Sequence, residues 1–399
     1  MSRIMVIAGG DWQCPIVQTA KKMGHEVICS NLYENSPAFQ YADWGEVANV
    51  LDKEKNLEIA KKYRPDAVLT DQSDIAVPTV AYVAERMGLK GIGEDMARLF
   101  TNESLMRDFC KNNGFPYPKY KLCYSCEEAV EFFEKSIKGK AIIKPVDSQS
   151  SRGIHIIEDS EQLRSLYADT LQYSHSVNAV LVEQYIEGIE FTVDGLKTSN
   201  GYFVTAISRK KHYSYNASIA QELLFSHYDG EYDYDELRTI NTQMVCKMGL
   251  PYGMTHAEYK FMNGQFYLIE IAARGGGTKI SSDIVPIMSG INSNEIFINQ
   301  LLGKEKQVKL SDEREKCAIL GFFDLEPGKV AGVEGLNEAR NYMGVKDIML
   351  PLQAGDIIER AKDDRSRAGH YILWADNYGK LRELEEKVKS TIHIIYEGK

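Results

Sequence analysis

At 399 residues the chain is too long for one ordinary hydrophobic core and suits two or three domains. Its 44% hydrophobic and 26% charged residues are the balance of a soluble globular protein and exclude a largely disordered or low-complexity chain. A net charge of −10 argues against a nucleic-acid backbone or an anionic membrane as the main partner.

The apolar opening Ile4–Ala8 meets Gly9-Gly10 too soon for a signal-peptide core, and no later run approaches membrane-spanning length, so a cytoplasmic protein is expected. Strand-like runs at Ile4–Ala8, Val27–Ser30 and Ala67–Thr70 alternate with helical stretches at Pro15–Met23, Lys55–Tyr63 and Val77–Met87, which predicts a parallel α/β unit over residues 1–95. Gly10 ends the first strand where backbone can approach a substrate. A dinucleotide site is unsupported, because Gly10 is followed by Asp11, Trp12, Gln13 and Cys14 and no G-x-G-x-x-G forms. Met96 to Asn113 reads as one helix, ended by Gly114 and stopped by Pro116 and Pro118.

A small module over about 118–186 follows: strands Lys119–Cys123, Ala141–Lys144, Ile154–Ile157 and Ala179–Gln184, with helices near Glu127–Lys135 and Ser160–Leu171. Cys123 and Cys126 form a C-x-x-C, but no second ligand pair accompanies it, and seven cysteines scattered through a long chain are expected to be reduced thiols. Alternating segments at Glu190–Leu196, Tyr202–Ser208, His256–Phe261 and Phe266–Ala272 predict an antiparallel sheet. After about Lys306, short strands, a helix near Lys380–Lys389 and a strand Ile392–Tyr396 suggest a smaller third domain, 306–399, behind a central one of 96–305.

Three motifs carry chemistry. Lys144 ends a buried-looking strand before Asp147-Ser148-Gln149-Ser150-Ser151-Arg152-Gly153, a lysine and small-residue loop able to clamp phosphate oxygens; the alternative is a surface turn. Glu183-Gln184-Tyr185-Ile186 joins two strands, and with Glu190 it offers backbone groups and carboxylates to an adenine edge and a ribose. The segment Glu258 to Glu270 reads as a hairpin around Asn263-Gly264. A two-residue turn would put Glu258 and Glu270 on opposite faces. A three-residue loop, Asn263-Gly264-Gln265, sets Glu258 against Glu270 over an apolar wall of Tyr259, Phe261, Tyr267, Ile269 and Ile271, and is the expected register. Opposed carboxylates repel unless a cation lies between them, which points to Mg²⁺. Arg274-Gly275-Gly276-Gly277 then leaves the strand beside them, with Arg274 placed to meet a carboxylate or a phosphoryl group and Gly276 and Gly277 open to substrate.

In order and spacing these motifs resemble the ATP-grasp superfamily over nearly the whole chain. The tail, with Asp364-Arg365-Ser366-Arg367-Ala368-Gly369, is similar to the branch containing formate-dependent glycinamide ribonucleotide transformylase, biotin carboxylase and L-amino-acid ligases. The resemblance implies an α/β and α+β multidomain fold: an N-terminal Rossmann-like parallel sheet, a two-subdomain core and a small C-terminal α+β domain. It implies ATP and Mg²⁺, with Mn²⁺ able to substitute. Lys144 goes to the phosphates, Ser150, Ser151, Arg152 and Gly153 to the phosphate loop, Glu183, Gln184, Tyr185 and Ile186 to adenine, Glu190 to ribose, Glu258 and Glu270 to metal, and Arg274 to the transferring group. Many relatives open the helix before the small module with a cation where this chain has Asn102-Glu103, so Arg107 one turn later is the expected replacement. Glu270-Ile271-Ala272 stands where Glu-x-Asn is frequent. Arg209, Lys210, Lys211 and His212 end a strand near where relatives place substrate-side basic groups, with Lys211 and His212 the candidates for substrate contact; the alternative is a solvated face.

The implied reaction is phosphorylation of a carboxylate and its capture by an amine, both small molecules, in what is expected to be a homodimer. Formyl or carboxyl transfer on the same scaffold is the nearest rival. A nucleotide-binding regulator without turnover is the rival of a different class.

Overall fold

The computed structural model describes residues 1–146, 153–174, 177–305, 307–311 and 313–398. Its N-terminal sheet is parallel, in the order Trp44–Val47, Glu26–Asn31, Arg3–Ile7, Ala67–Leu69. Ile4–Ile7 is an unbroken apolar run because both faces are covered: Ile4 and Val6 pack with Ile16 and Val17, and Met5 and Ile7 with Leu57 and Val83. The three helices fall at Cys14–Lys22, Lys53–Tyr63 and Val77–Met87, close to expectation. The edge strand Trp44–Val47 is an addition, too short and too exposed to leave an apolar signature.

The single helix expected over Met96–Asn113 is two helices, Glu94–Leu99 and Glu103–Asn113. Asn102 breaks it: its backbone is extended, and its side chain accepts the Leu105 N–H at 3.1 Å, an N-cap that starts a new helix. That cap places Glu103 on the first turn, beside the small module.

The module is an antiparallel sheet, Tyr120–Cys123, Val180–Gln184, Ala141–Pro145, His155–Ile157, covered by helices Cys126–Ser136 and Ser160–Leu171. Val130, Phe133, Leu163 and Tyr167 bury Ile143 and Val182 beneath them. An eight-stranded sheet forms the rest of the core: Gln265–Ala272, Gly253–Met262, Ile189–Thr198, Gly201–Tyr213, Asn216–Phe225, Cys317–Phe322, His370–Ala375, Val345–Met349, with every neighbouring pair antiparallel. Its last three strands come from beyond position 306, so the C-terminal segment continues the sheet that carries the chemistry. A three-stranded sheet, Ile357–Ile358, Gly328–Glu334, His393–Tyr396, and the helix Tyr378–Thr391 complete that segment. No helix among the described residues is long and apolar enough to cross a membrane.

Candidate active site

Lys144 is 4% exposed at the end of Ala141–Pro145. Its ammonium donates to Glu103 at 2.8 Å and lies 3.0 Å from Glu183. Burial opposes its charge, and the two carboxylates more than restore it, raising its pKa. Arg107 is fully buried, with its guanidinium Nε and Nη2 on the two oxygens of Glu183 and Nη2 also donating to the Ile269 carbonyl at 2.7 Å. Arg107 therefore sits beneath Glu183 and braces it, away from the cleft where the replacement cation was expected. Glu183 is likewise 2% exposed and spends its carboxylate on Arg107 and Lys144.

The hairpin corrects the expected register. Asn263 and Gly264 have φ of 52° and 78°, so the turn is two residues long, with both in the left-handed region. Met262 pairs with Gln265, Phe261 with Phe266, Lys260 with Tyr267 and Tyr259 with Leu268, and then the register shifts by one. Ile269 is the extra residue of a β-bulge, and beyond it Glu258 faces Glu270. The carboxylates oppose each other as expected, through a bulge instead of a longer loop. The bulge also turns the Ile269 carbonyl to Arg107, which links hairpin, helix and module.

A cleft of about 640 Å³ runs between the N-terminal sheet, the module, the large sheet and the C-terminal segment. Of the residues singled out from the sequence, Lys144, Tyr185, Glu190, His212, Glu258, Glu270, Arg274 and Gly277 line it. Lys210 lies between Glu190 and Glu258, 2.7 Å from the latter, and His212 Nε2 is 3.3 Å from Glu190. Side-chain alternation explains the error at Lys211: positions 210 and 212 face the cleft, and Lys211 is exposed outside its lining. His256 shares Glu258's face and joins Asp194 at 3.0 Å. Burial disfavours its charge, but Asp194 and Glu258 prevail and push its pKa up to about 9.

Arg274 donates twice to Asp74, at 2.9 and 2.6 Å, and to the Gly275 carbonyl. The glycine loop beyond it is tied down from two sides: Gly275 N–H to Asp71 at 3.2 Å, Gly276 N–H to Asp194 at 3.2 Å, and Lys279 N–H to Gln72 at 3.0 Å. Gly276 thus faces Asp194, outside the cleft lining. Gly10 gives its N–H to Gln13 at 3.0 Å and also stays outside the lining, while Trp12 and Gln13 reach it. Gln184 pairs with Ala141 within the module, and Ile186 is buried beyond it. Ser150, Ser151 and Arg152 lie outside the described residues, and Gly153, at φ 69°, is the first described residue after them.

Sequence reading missed His256, Asp194, Asp71 and Asp74. Parity with Glu258 could have found His256, and parity with Glu190 along Ile189–Thr198 could have found Asp194; nothing local marks Asp71 and Asp74, which reach the site from the N-terminal unit.

Glu258 and Glu270 differ sharply in their surroundings. Burial opposes ionisation of Glu258, but Lys210 and His256 hold its pKa well below the usual range. Glu270 has no hydrogen bond or ion pair among the described residues, and burial with the nearby Asp74, Glu103 and Glu258 carboxylates raises its pKa to about 8. Among the described residues no three acidic, histidine or cysteine side chains group to hold a metal alone. Two opposed hard carboxylates, one unpartnered, fit a divalent cation whose other ligands are water and phosphate oxygens.

Residues 137–283 match the ATP-grasp domain family, and residues 321–397 match the L-amino acid ligase C-terminal domain 2 family. The chain carries an ATP-grasp domain. The formate-dependent phosphoribosylglycinamide formyltransferase of Synechococcus sp. strain CC9902 is 26% identical over 202 residues, 50% of this chain and 51% of that protein. The chain thus spans about half the length of the curated relatives it matches first. Dapdiamide A synthase of Enterobacter agglomerans is 25% identical over 72% of this chain and 70% of its own. The fold is shared with an L-amino acid ligase from Bacillus licheniformis, at TM-score 0.80 and 19% identity over 100% and 99% of the two chains. It is shared also with N5-carboxyaminoimidazole synthetase from Staphylococcus aureus complexed with ADP, at TM-score 0.73 and 15% identity over 98% and 96%. In this ATP-grasp chain the first matched segment holds Lys144, Glu183, Glu190, Lys210, Glu258, Glu270 and Arg274. Asp71, Asp74 and Glu103 come from outside it.

Proposed function

We propose that the chain is an ADP-forming carboxylate–amine ligase that uses ATP and Mg²⁺. The observation carrying the reading is the opposed Glu258–Glu270 pair set among Lys144, Lys210 and Arg274 in one cleft. A carboxylate oxygen of the first substrate attacks the γ-phosphorus of ATP, ADP leaves with the bridging oxygen, and an acyl phosphate forms. The amine nitrogen then bonds the acyl carbon, inorganic phosphate leaves with the electron pair of the breaking C–O bond, and the nitrogen releases its proton.

Glu258 and Glu270 would hold Mg²⁺, which supplies neutralisation of phosphate charge. Lys144 receives phosphate oxygens by exchanging them for Glu103, and Glu190 accepts from ribose hydroxyls. Glu183, Gln184, Tyr185 and Ile186 border the adenine. Arg274, aimed by Asp74 and by the tied glycine loop, stabilises charge on the transferring group, and His256 adds a fixed cation beside Glu258. We assign substrate contacts to His212 and Gly277, and place the chain in the cytoplasm as a homodimer.

ADP release from Mg-ATP across small carboxylates, each with and without amino acids and amino sugars, tests this. Release requiring one carboxylate and one amine supports it. The curated formyltransferase relatives favour formate as a second reading, so formate belongs in the panel; formate-dependent release with a sugar-phosphate amine would replace the ligase reading by formyl transfer. Tight Mg-ATP binding with no release across the panel would oppose both.

A further inference from the structure

A second cavity, of about 670 Å³, meets the first at a shared wall: Asp74, Glu103 and Glu270 line both. Their characters differ. The first cleft balances six lysines and arginines, among them Lys144, Lys210 and Arg274, against six carboxylates. The second opens between the N-terminal loops and the two helices Glu94–Leu99 and Glu103–Asn113. Its wall is mostly apolar, with Ile75, Pro78, Phe100, Leu105 and Leu122, and its charged lining is five carboxylates against two cations. One of those cations, Lys53, is already 3.5 Å from Glu94.

An amine reaches a ligase as an ammonium. The charge-balanced cleft offers it no net attraction, and once there it would pair with phosphates before it could act. A chamber with apolar sides and carboxylates at its inner end has the complementary chemistry, and its volume is that of a small-molecule site. Asp74 and Glu103 are engaged by Arg274 and Lys144, and Glu270 is assigned to the metal, so the shared wall marks where the nitrogen meets the reacting carbon while the net negative lining of the chamber draws the ammonium in. We propose that this second cavity binds the amine substrate, as an ammonium carrying an apolar substituent, and presents its nitrogen across the Asp74–Glu103–Glu270 wall. This rests on the ligase reading and names the class and place of its second substrate.

Binding of phenethylamine to the full chain, against 3-phenylpropionate as an anion of similar shape, tests the site without turnover. The amine is expected to bind in preference to the acid. Leu105→Trp and Leu122→Trp, which fill the cavity from two walls, should each weaken the amine at least about tenfold, near 1.4 kcal/mol. Mg-ATP-dependent melting verifies that each variant is folded. Amine binding that is absent, matched by the acid, or unchanged in both folded variants overturns the proposal. ADP release that needs an amine while phenethylamine binding ignores the cavity refutes the site and leaves the ligase; cavity binding with no amine-dependent release refutes the ligase reading alone.

Discussion

Glu270→Gln tests the metal assignment through stability as well as turnover. The folded protein holds the Glu270 proton up to about pH 8, whereas the unfolded chain releases it near 4.5. Between those values the native state binds more protons than the unfolded one, so stability falls as pH rises through the window and is unaffected by this group below it. Each tenfold displacement of a proton equilibrium is worth about 1.4 kcal/mol. Allowing for relaxation and solvent around a partly accessible carboxyl, ionised Glu270 weakens the nucleotide-free protein by roughly 2–4 kcal/mol at pH 9. Glutamine keeps the shape and removes the charge. The variant should therefore match wild type at pH 4.5 and exceed it at pH 9 in denaturant unfolding without nucleotide. It should also lose Mg²⁺-dependent ADP release by at least about 100-fold. Equal stability at pH 9 would refute the raised pKa that burial and the neighbouring carboxylates give Glu270, and undiminished turnover would refute the metal role.

Lys210→Ala should cut kcat severely, about 100-fold, because it removes the cation between Glu190 and Glu258, while Lys211→Ala on the other side of the strand should change steady-state constants little; similar effects from both would contradict the strand parity. Arg107→Met leaves buried Glu183 and the Ile269 carbonyl without their partner and should cost about 3–5 kcal/mol in denaturant unfolding; a change under 1 kcal/mol, on the order of a surface ion pair, would be inconsistent with this burial. In Gly275→Ala a Cβ would fall 2.3 Å from Ser281 Cβ and 2.6 Å from an Asp71 oxygen, so the loop must shift and carry Arg274 with it. That substitution should depress kcat with little change in Mg-ATP affinity; an unchanged kcat would remove the glycine loop from the positioning of Arg274.

Most elements were legible because periodicity is a local signal: the helix Ser160–Leu171 and the strands bearing Lys144 and Glu270 fell where their patterns put them. What escaped depends on contacts distant in sequence. The Ile269 bulge is one case. Alternation alone keeps a two-residue turn from opposing Glu258 and Glu270, and only the Arg107 contact from another helix gives the bulged carbonyl its partner. The helix break at Asn102 was local and readable, since a capping asparagine before glutamate marks a helix start. Lys210 stood within a run of four basic positions, and strand parity decides which of them face the cleft.

The pairing of the cleft's cations has a consequence for the order of events. Lys144 rests on Glu103 and Glu183, Lys210 on Glu190 and Glu258, Arg274 on Asp74, and His256 on Asp194. An incoming phosphate meets positive groups whose charge is already countered, so its binding is an exchange of partners and its net gain is small. A divalent cation alters the exchange. It neutralises Glu258 and Glu270 together, which releases Lys210 from half of its engagement and removes the repulsion that Glu270 feels from Asp74 and Glu103. Mg²⁺ and nucleotide should therefore bind with positive coupling, each strengthening the other by the same factor. Glu270→Gln should reduce that coupling while leaving metal-free nucleotide affinity equal to that of wild type below about pH 8, where both side chains are uncharged, and tighter above it, where the variant has one fewer negative charge facing the phosphates. Titration of ADP with and without Mg²⁺ measures both quantities, and weaker metal-free binding in the variant would show that Glu270 meets the nucleotide by some route other than the metal.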